Sequence, residues 1–287
     1  MTRLSIPKTY KLAIGGAFPR SESGRSYTVQ SADGGFLANA AQASRKDARD
    51  AVVAARAAQP GWAAATAYNR GQVLYRIAEL LDGRRAQFIE EIVATEGVSA
   101  ADAAVQVDAA TDTWIWYAGW ADKFAQVVGA GNPVAGPYFN LSVPEPTGVV
   151  AAIAPQGVTG ASLLGTVAVI APAIVSGNTV VVIADETRPL SAISLAEVLA
   201  TSDVPGGVVN VLTGLPAEIA PWLASHSDVN ALDMAGAGAL DWVNLEIAAA
   251  ETLTRIVRPV PGIPEQSLER ILSFIETKTV WHTKGLL

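Results

Sequence analysis

The sequence predicts an α/β fold built on a doubly wound parallel sheet, and two patterns predict it. Five short apolar runs occupy the second half of the chain, and four of them precede a helical pattern. Strands that are apolar on both faces and alternate with helices form parallel sheets covered on both sides. Right-handed crossovers make such a sheet doubly wound. The expected strands are 148–153, 179–183, 208–212, 229–233 and 255–258, with helices at 161–176, from 189, at 216–226 and at 239–249.

The chain before these strands is expected to be extended and then helical. Residues 1–43 contain paired glycines and turn residues that indicate short extended pieces. Ser44 and Asp47 have the spacing of a capping box, which predicts the start of a first helix. The Pro60-Gly61 pair predicts its end.

Three further helices are expected before the sheet. One begins at about Thr66, one covers about 84–95, and a long one begins at Ser99. The long helix carries an aromatic stripe, which we interpret as core packing: Trp114, Tyr117, Trp120 and Phe124.

Two segments fall outside the alternation of strands and helices. Phe139, Leu141 and Val143 alternate with polar residues, which predicts a half-exposed strand. After the proline-rich stretch 259–264, we expect a short helix at 265–276 and a final strand at 278–282.

Composition excludes several kinds of site. The 287 residues contain no cysteine, so they offer no disulfide, thiolate metal site or cysteine nucleophile. Two histidines make a multi-histidine metal site untenable, and we expect no metal. A net charge of −7 argues against a nucleic-acid surface. The apolar segment 161–175 is too short to span a bilayer and no signal peptide is evident, so the expected location is the cytoplasm.

Motifs for nucleotides and catalysis are weak when taken alone. The sequence has neither G-x-x-x-x-G-K-[ST] nor G-x-G-x-x-G after a strand, and Gly236-Ala237-Gly238 lacks the third glycine. Asp185-Glu186 follows the second strand, where an acid can bind a ribose hydroxyl, although solvated acids are common there. His226 fits a helix end better than a catalytic role.

Several segments in order resemble the NAD(P)-dependent aldehyde dehydrogenase superfamily. The resemblance spans about 10–258 and implies a nucleotide-binding-type domain preceded by helices and accompanied by a small oligomerisation appendage. It rests on Ile14 to Phe18, Ala38 to Trp62, Glu145 to Pro155, Gly177 to Val182, Pro189 to Ala192 and Pro205 to Gly214.

The departures from that family concern its chemistry. Pro155 is followed by Gln156-Gly157-Val158, where the family has Trp-Asn-Phe. The family's ribose-binding lysine falls on Ile183, and two later glycines of its phosphate turn fall on Pro216 and Ala220. The segment carrying its general base is absent. The resemblance therefore implies only vestigial cofactor contacts, at Ile153, Pro155, Glu186, Gly214 and Gly236.

The resemblance also implies a domain division with the catalytic domain missing. Residues 1–136 and 147–258 correspond to the nucleotide-binding-type domain, and 259–264 form a junction where the family has its catalytic domain. Residues 137–146 and 265–287 correspond to strands through which family members assemble. The expected interface residues are Phe139, Leu141, Val143, Thr279, Val280 and Trp281.

Three functions remain open at this point. The favoured one is a non-catalytic homologue without catalytic residues, which assembles with a full-length aldehyde dehydrogenase; a homo-oligomer is possible. The second is a binder of a dinucleotide or another small molecule, although no tightly bound cofactor is expected and NAD(P) is implied by resemblance alone. The third is the NAD(P)-dependent aldehyde oxidoreductase that homology suggests, which lacks its thiol here.

Overall fold

A computed structural model describes residues 8–285. The expected N-terminal pieces 1–7 and the last two residues of the expected appendage, 286–287, lie outside the described range. The chain begins with a small sheet in the strand order β1-β3-β2, formed by β1 (Thr9–Tyr10), β2 (Ser26–Gln30) and β3 (Phe36–Ala41). This arrangement agrees with the extended pieces that the turn residues predict.

Five helices follow, and side chains cap three of them as expected. They are α1 (Arg45–Ala64), α2 (Ala67–Gly83), α3 (Arg85–Glu96), α4 (Ala100–Trp120) and α5 (Phe124–Val128). Ser44 and Asp47 form the reciprocal capping box of α1. Thr66 and Ser99 cap α2 and α4 by accepting backbone N–H bonds in the first turn.

Two expectations about these helices need correction. α1 does not end at Pro60-Gly61 but continues to Ala64. A proline inside a helix removes one N–H and crowds the carbonyl four residues earlier. Here the last turn also packs on the core through Trp62, whose buried indole Nε1–H donates to the carbonyl of Ile174 at 2.8 Å. The aromatic stripe is core, as expected for Trp114 and Tyr117, but Phe124 lies in α5 because α4 ends at Trp120.

The second half of the chain forms the parallel sheet. After β4 (Ala130–Asn132) and β5 (Tyr138–Pro146), strands and helices alternate. The elements are β6 (Val149–Ile153), α6 (Leu164–Val175), β7 (Thr179–Ile183), α7 (Leu190–Leu199), β8 (Val209–Leu212), α8 (Pro216–Ala224), β9 (Ala231–Asp233), α9 (Trp242–Ala250) and β10 (Arg255–Val257). The strand order is β10-β9-β6-β7-β8, all parallel. This is the doubly wound sheet that the sequence predicts.

Apolar packing covers both faces of this sheet. Along β6, Val150 and Ala152 pack with α6 and α7, whereas Val149, Ala151 and Ile153 pack with α1, α8 and α9. α6 is buried along almost its whole length, which confirms the interpretation as a core helix. Among residues 8–285, no helix combines the length and hydropathy needed to cross a membrane.

The end of the chain differs from its prediction. The expected helix 265–276 is only the five-residue α10 (Leu268–Leu272), and the final strand β11 (Ile275–Thr283) begins three residues early. β11 pairs antiparallel with β5 along its whole length, from Ile275 opposite Pro146 to Thr283 opposite Tyr138. The ladder bonds to a distant strand therefore override the local helical pattern. The resulting sheet has the strand order β11-β5-β4.

Candidate functional site

The parallel sheet places its candidate site at the carboxyl ends of the strands. Doubly wound sheets bind ligands where the strand order reverses, outside those ends. Here the order reverses between β6 and β9. The loops after β6 and β9 flank this crevice, and the loops after β7 and β8 extend it. We call this row of loops the carboxyl edge.

The carboxyl edge brings four of the five expected cofactor residues close together. Ile153 ends β6, and its carbonyl accepts the N–H of Gly236 at 2.9 Å. Pro155 is buried two residues beyond Ile153. Glu186, half-buried after β7, connects to the same loop because its N–H donates to the Gln156 side chain at 2.9 Å. Gly214 lies further along, after β8, on the other side of β7.

The two glycines shared with the family are required by the packing of this chain. A Cβ on Gly236 would lie 1.8 Å from the carbonyl oxygen of Ala154, so only glycine lets the loop after β9 approach β6. Gly214 has a φ of 128°, and a Cβ there would lie 3.1 Å from the backbone nitrogen of Ala43. Both glycines therefore have a structural role in the absence of any pyrophosphate.

Gln156 joins the loops after β6 and β7. Its Nε2 donates to the carbonyl of Ala154 at 2.7 Å and to that of Ala184 at 3.2 Å. Its Oε1 accepts the N–H of Glu186. One side chain thus satisfies three backbone groups at the crevice. The sequence shows Gln156 only as a departure from the family pattern, and its bonding depends on contacts between distant strands.

Asp185 binds a second set of donors at the same edge. Its buried carboxylate accepts the N–H of Gly157 at 2.7 Å with one oxygen. The other oxygen accepts the N–H groups of Thr187 at 2.8 Å and Arg188 at 3.0 Å. An acid in this position can hold a ribose hydroxyl, but here backbone amides occupy both of its oxygens.

The residues at the carboxyl edge do not fit a dinucleotide. A pyrophosphate needs free N–H groups at a helix N-terminus. At α8, Pro216 supplies no N–H in the first turn, and Glu218 places a carboxylate there that pairs with Arg25 at 3.0 Å. Ile183 is fully buried and brings no cation to the edge. We therefore assign no step to a nicotinamide cofactor.

Tyr27, on β2 near the loop after β7, is poorly suited to act as a base. Burial, with the carboxylates of Asp185 and Glu186 nearby, raises the pKa of Tyr27 well above its usual range. The phenol therefore stays neutral near pH 7. Of the two histidines, His226 accepts the N–H of Asp228 at 3.1 Å, and His282 lies on β11 in the other sheet. In the described part of the chain, three or more metal-ligating side chains do not cluster.

The expected interface residues lie on β5 and β11, away from the carboxyl edge. Residues directly opposite in an antiparallel pair share a face, and Val280 lies opposite Leu141. The side chains of Phe139, Leu141, Val143 and Val280 therefore form an apolar stripe on one face. Thr279 lies opposite Ser142 on the other face. Trp281 shares that second face and contacts the ring of Tyr138 with 5.8 Å between centroids.

Comparison with known proteins gives one consistent family. Residues 18–257 match the family described as "Aldehyde dehydrogenase family". Mouse cytosolic 10-formyltetrahydrofolate dehydrogenase is 31% identical over 246 residues, which cover 82% of this chain and 26% of that protein.

Solved structures show the same fold. PnpE from Pseudomonas sp. WBC-3 has a TM-score of 0.79 at 28% identity, covering 87% of this chain and 50% of its own. Betaine aldehyde dehydrogenase from Staphylococcus aureus, solved with NAD+, has a TM-score of 0.80 at 24% identity, which covers 86% of this chain and 49% of its own and shows the fold alone. The chain thus spans about half the length of these structures and about a quarter of the mouse protein.

Proposed function

The chain belongs to the aldehyde dehydrogenase family, and from that premise we propose that it is a non-catalytic member that assembles with a full-length aldehyde dehydrogenase. Its role there is structural or regulatory. The oxidation of an aldehyde to an acid with NAD(P) belongs to the partner in this proposal. The apolar stripe of the three-stranded sheet is the observation that carries it.

The apolar stripe is exposed although its residues are large and hydrophobic. Phe139 is 57% exposed, and Leu141 and Val143 are each 42% exposed. Between them, the polar Asn140 is buried and its Oδ1 accepts the side-chain N–H of Asn132 at 2.6 Å. A strand that packs only on its own core shows the opposite pattern, with its apolar side chains inside. The stripe therefore has the character of a surface that another protein covers.

The outer edge of β11 supports the same proposal. Within the described chain, β11 is the end strand of its sheet and pairs only with β5. Its nine residues present a row of N–H and C=O groups that a strand from another chain can extend. Lys278, paired with Glu145 at 2.9 Å, lies mid-strand among exposed side chains. A charged pair of this kind discourages nonspecific edge pairing, whereas a chosen partner can accommodate it.

The absence of catalysis is supported by the composition and the carboxyl edge together. No cysteine occurs among the 287 residues, so no thiohemiacetal can form on this chain. The Gln156 side chain bonds backbone groups of the loop after β7, and the Asp185 carboxylate accepts an N–H of the loop after β6, so these groups bond to each other and not to a ligand. Dinucleotide binding, the alternative, would require these bonds to break before a cofactor entered.

Affinity purification from the native host tests the assembly. We expect the tagged chain to bring down a cysteine-containing aldehyde dehydrogenase in fixed ratio. Leu141→Glu should abolish the co-purification, because it places a charge in the apolar stripe. Val105→Glu is the matched control, since Val105 is 68% exposed on α4, away from the stripe, and should leave the complex intact. Recovery of the chain alone, or equal loss in both variants, contradicts the proposal.

Calorimetry tests the part of the proposal that concerns cofactor binding and catalysis. Titration of the purified chain with NAD and with NADP should give no saturable heat, because the donors at the carboxyl edge are already bonded. A dissociation constant in the micromolar range would establish the dinucleotide-binding alternative in its place. This measurement does not depend on the partner, so the two halves of the proposal can fail separately.

A further inference from the structure

Glu96 is a buried carboxylate in an unfavourable place. It is the last residue of α3 and is only 8% exposed. The carbonyl end of a helix repels negative charge, and buried carboxylates are usually paired with a cation. No ion pair within residues 8–285 includes Glu96. Its burial therefore needs compensation from neutral donors.

Those donors are N–H groups at the start of α6 and one amide. Oε2 accepts the backbone N–H of Gly160, and Oε1 accepts the backbone N–H of Ser162 at 3.1 Å. Oε1 also accepts the Nε2–H of Gln106 at 3.2 Å. Both backbone groups belong to the loop that leads from β6 into α6, which begins at Leu164.

Gln106 completes the same arrangement. Its Oε1 accepts the N–H of Leu163 at 2.9 Å, so the amide donates to the carboxylate and accepts from the loop. Gln106 is itself buried on α4. The loop, α3 and α4 are thus joined through one carboxylate. Converging backbone N–H groups at a helix start are how proteins hold bound anions.

We propose that the loop 157–163 is a backbone anion site and that Glu96 is its resident ligand. The Glu96 carboxylate accepts hydrogen bonds from the N–H groups of Gly160 and Ser162, which would otherwise donate to a small external carboxylate of the size of formate or acetate. The site becomes available to such an anion when the Glu96 side chain is removed. This inference is independent of any partner, because every group involved lies within one chain.

Glu96→Ala with acetate as the probe is the direct test. The variant should have a lower unfolding temperature than the wild type. Sodium acetate should raise that temperature saturably, since a ligand that binds only the folded state stabilises it. Sodium chloride at equal ionic strength should not. Glu90→Ala is the matched control, because Glu90 is exposed on the same helix and should show no acetate dependence.

Amide hydrogen exchange gives the residue-level readout. In Glu96→Ala, the N–H groups of Gly160 and Ser162 should exchange at least about tenfold faster than in the wild type, and acetate should restore their protection. Unchanged exchange at both amides, or no recovery with acetate beyond that with chloride, overturns the proposal.

A second variant keeps the test decisive if the alanine variant does not fold. Glu96→Gln preserves the shape but offers one carbonyl oxygen in place of two carboxylate oxygens. One of the two amides, but not both, should then lose its protection. Equal protection of both amides in Glu96→Gln means that the carboxylate is not their ligand.

Discussion

The five-stranded and three-stranded sheets of this chain differ in whether they bury their apolar side chains. The five-stranded sheet buries apolar side chains on both faces, and its carboxyl edge bonds its polar groups to one another. The three-stranded sheet buries Asn140 and exposes Phe139, Leu141 and Val143. The polar groups of the carboxyl edge are bonded to one another, whereas the apolar stripe of the three-stranded sheet is exposed. The difference supports the proposal that a partner binds at the three-stranded sheet and not at the carboxyl edge.

The largest expected effect comes from breaking the link between the two sheets. Arg270 of α10 forms a buried ion pair with the fully buried Asp233 at the end of β9. Arg270→Met should cost about 4 kcal/mol of unfolding free energy, because it leaves Asp233 buried without its cation. Urea unfolding measures this, and Asp233→Asn in the same chain should recover part of the loss.

An exposed ion pair provides the control for Arg270. Arg258 pairs with Glu246 at 2.8 Å on the surface, where water screens the two charges, so Arg258→Ala should cost far less stability than Arg270→Met. Equal costs for the two arginine variants would show that the buried pair does not hold the appendage to the core.

A leucine-to-alanine substitution should cost much more stability in the five-stranded sheet than in the three-stranded sheet. Leu212 of β8 is fully buried, and Leu212→Ala should cost about 3 kcal/mol. Leu141→Ala on β5 should change the stability of the isolated chain by less than about 0.5 kcal/mol, since that side chain is 42% exposed. Chemical unfolding of both variants measures the contrast. A large loss for Leu141→Ala would mean that the apolar stripe already packs within the chain.

A glycine-to-alanine substitution, which adds one methyl group, should also cost more stability at the carboxyl edge than in the three-stranded sheet, by a smaller margin. Gly236→Ala should cost about 2 kcal/mol, because its Cβ would collide with the carbonyl oxygen of Ala154. Gly131→Ala on β4 should be close to neutral, since no heavy atom lies within 4 Å of the added Cβ. Thermal unfolding of the pair is the measurement, and equal shifts would show that the carboxyl edge can open.

The smallest expected effect is a pH dependence at Glu91 on α3. Burial raises the pKa of Glu91, although hydrogen bonds from Ser194, Gln87 and Tyr10 oppose the shift. The folded state then holds a proton that the unfolded chain has lost, so stability falls as pH rises from the ordinary carboxyl value toward the raised one.

Removing the charge at Glu91 tests this dependence. Glu91→Gln should flatten the curve of unfolding free energy against pH, because glutamine has no proton to lose. Glu90→Gln, at an exposed position on the same helix, should leave the wild-type curve unchanged. Parallel curves for wild type and Glu91→Gln would contradict the assignment.

The five parallel strands could be predicted because their signal is local. Runs such as Thr179–Ile183 are apolar at every position, and only a covered sheet buries both faces. The helix caps at Ser44, Thr66 and Ser99 and the family segments are equally local. The expected helix over 265–276 failed for the opposite reason, since β11 takes its conformation from β5 across the sheet.

The candidate site could be predicted only in outline. The positions of Ile153, Pro155, Glu186, Gly214 and Gly236 follow from the strand ends, whereas their roles as cofactor contacts stay predictions. The hydrogen bonds of Glu96 to Gly160 and of Gln156 to Ala184 join segments more than 25 residues apart, so no local sequence pattern predicts them. The interface residues on β5 and β11 also stay predictions, although the register now assigns them to two faces.

The pairing of β5 with β11 has a consequence for synthesis of the chain. Lys278 and Glu145 meet across a separation of 133 residues. At ribosomal rates of about 5–20 residues per second, β5 is synthesised roughly 7 to 27 seconds before β11. During that interval the nascent strand exposes one more unpaired edge beside its hydrophobic side chains. In the proposed assembly, a partner subunit that binds during translation would cover that edge while the nascent chain is prone to aggregate.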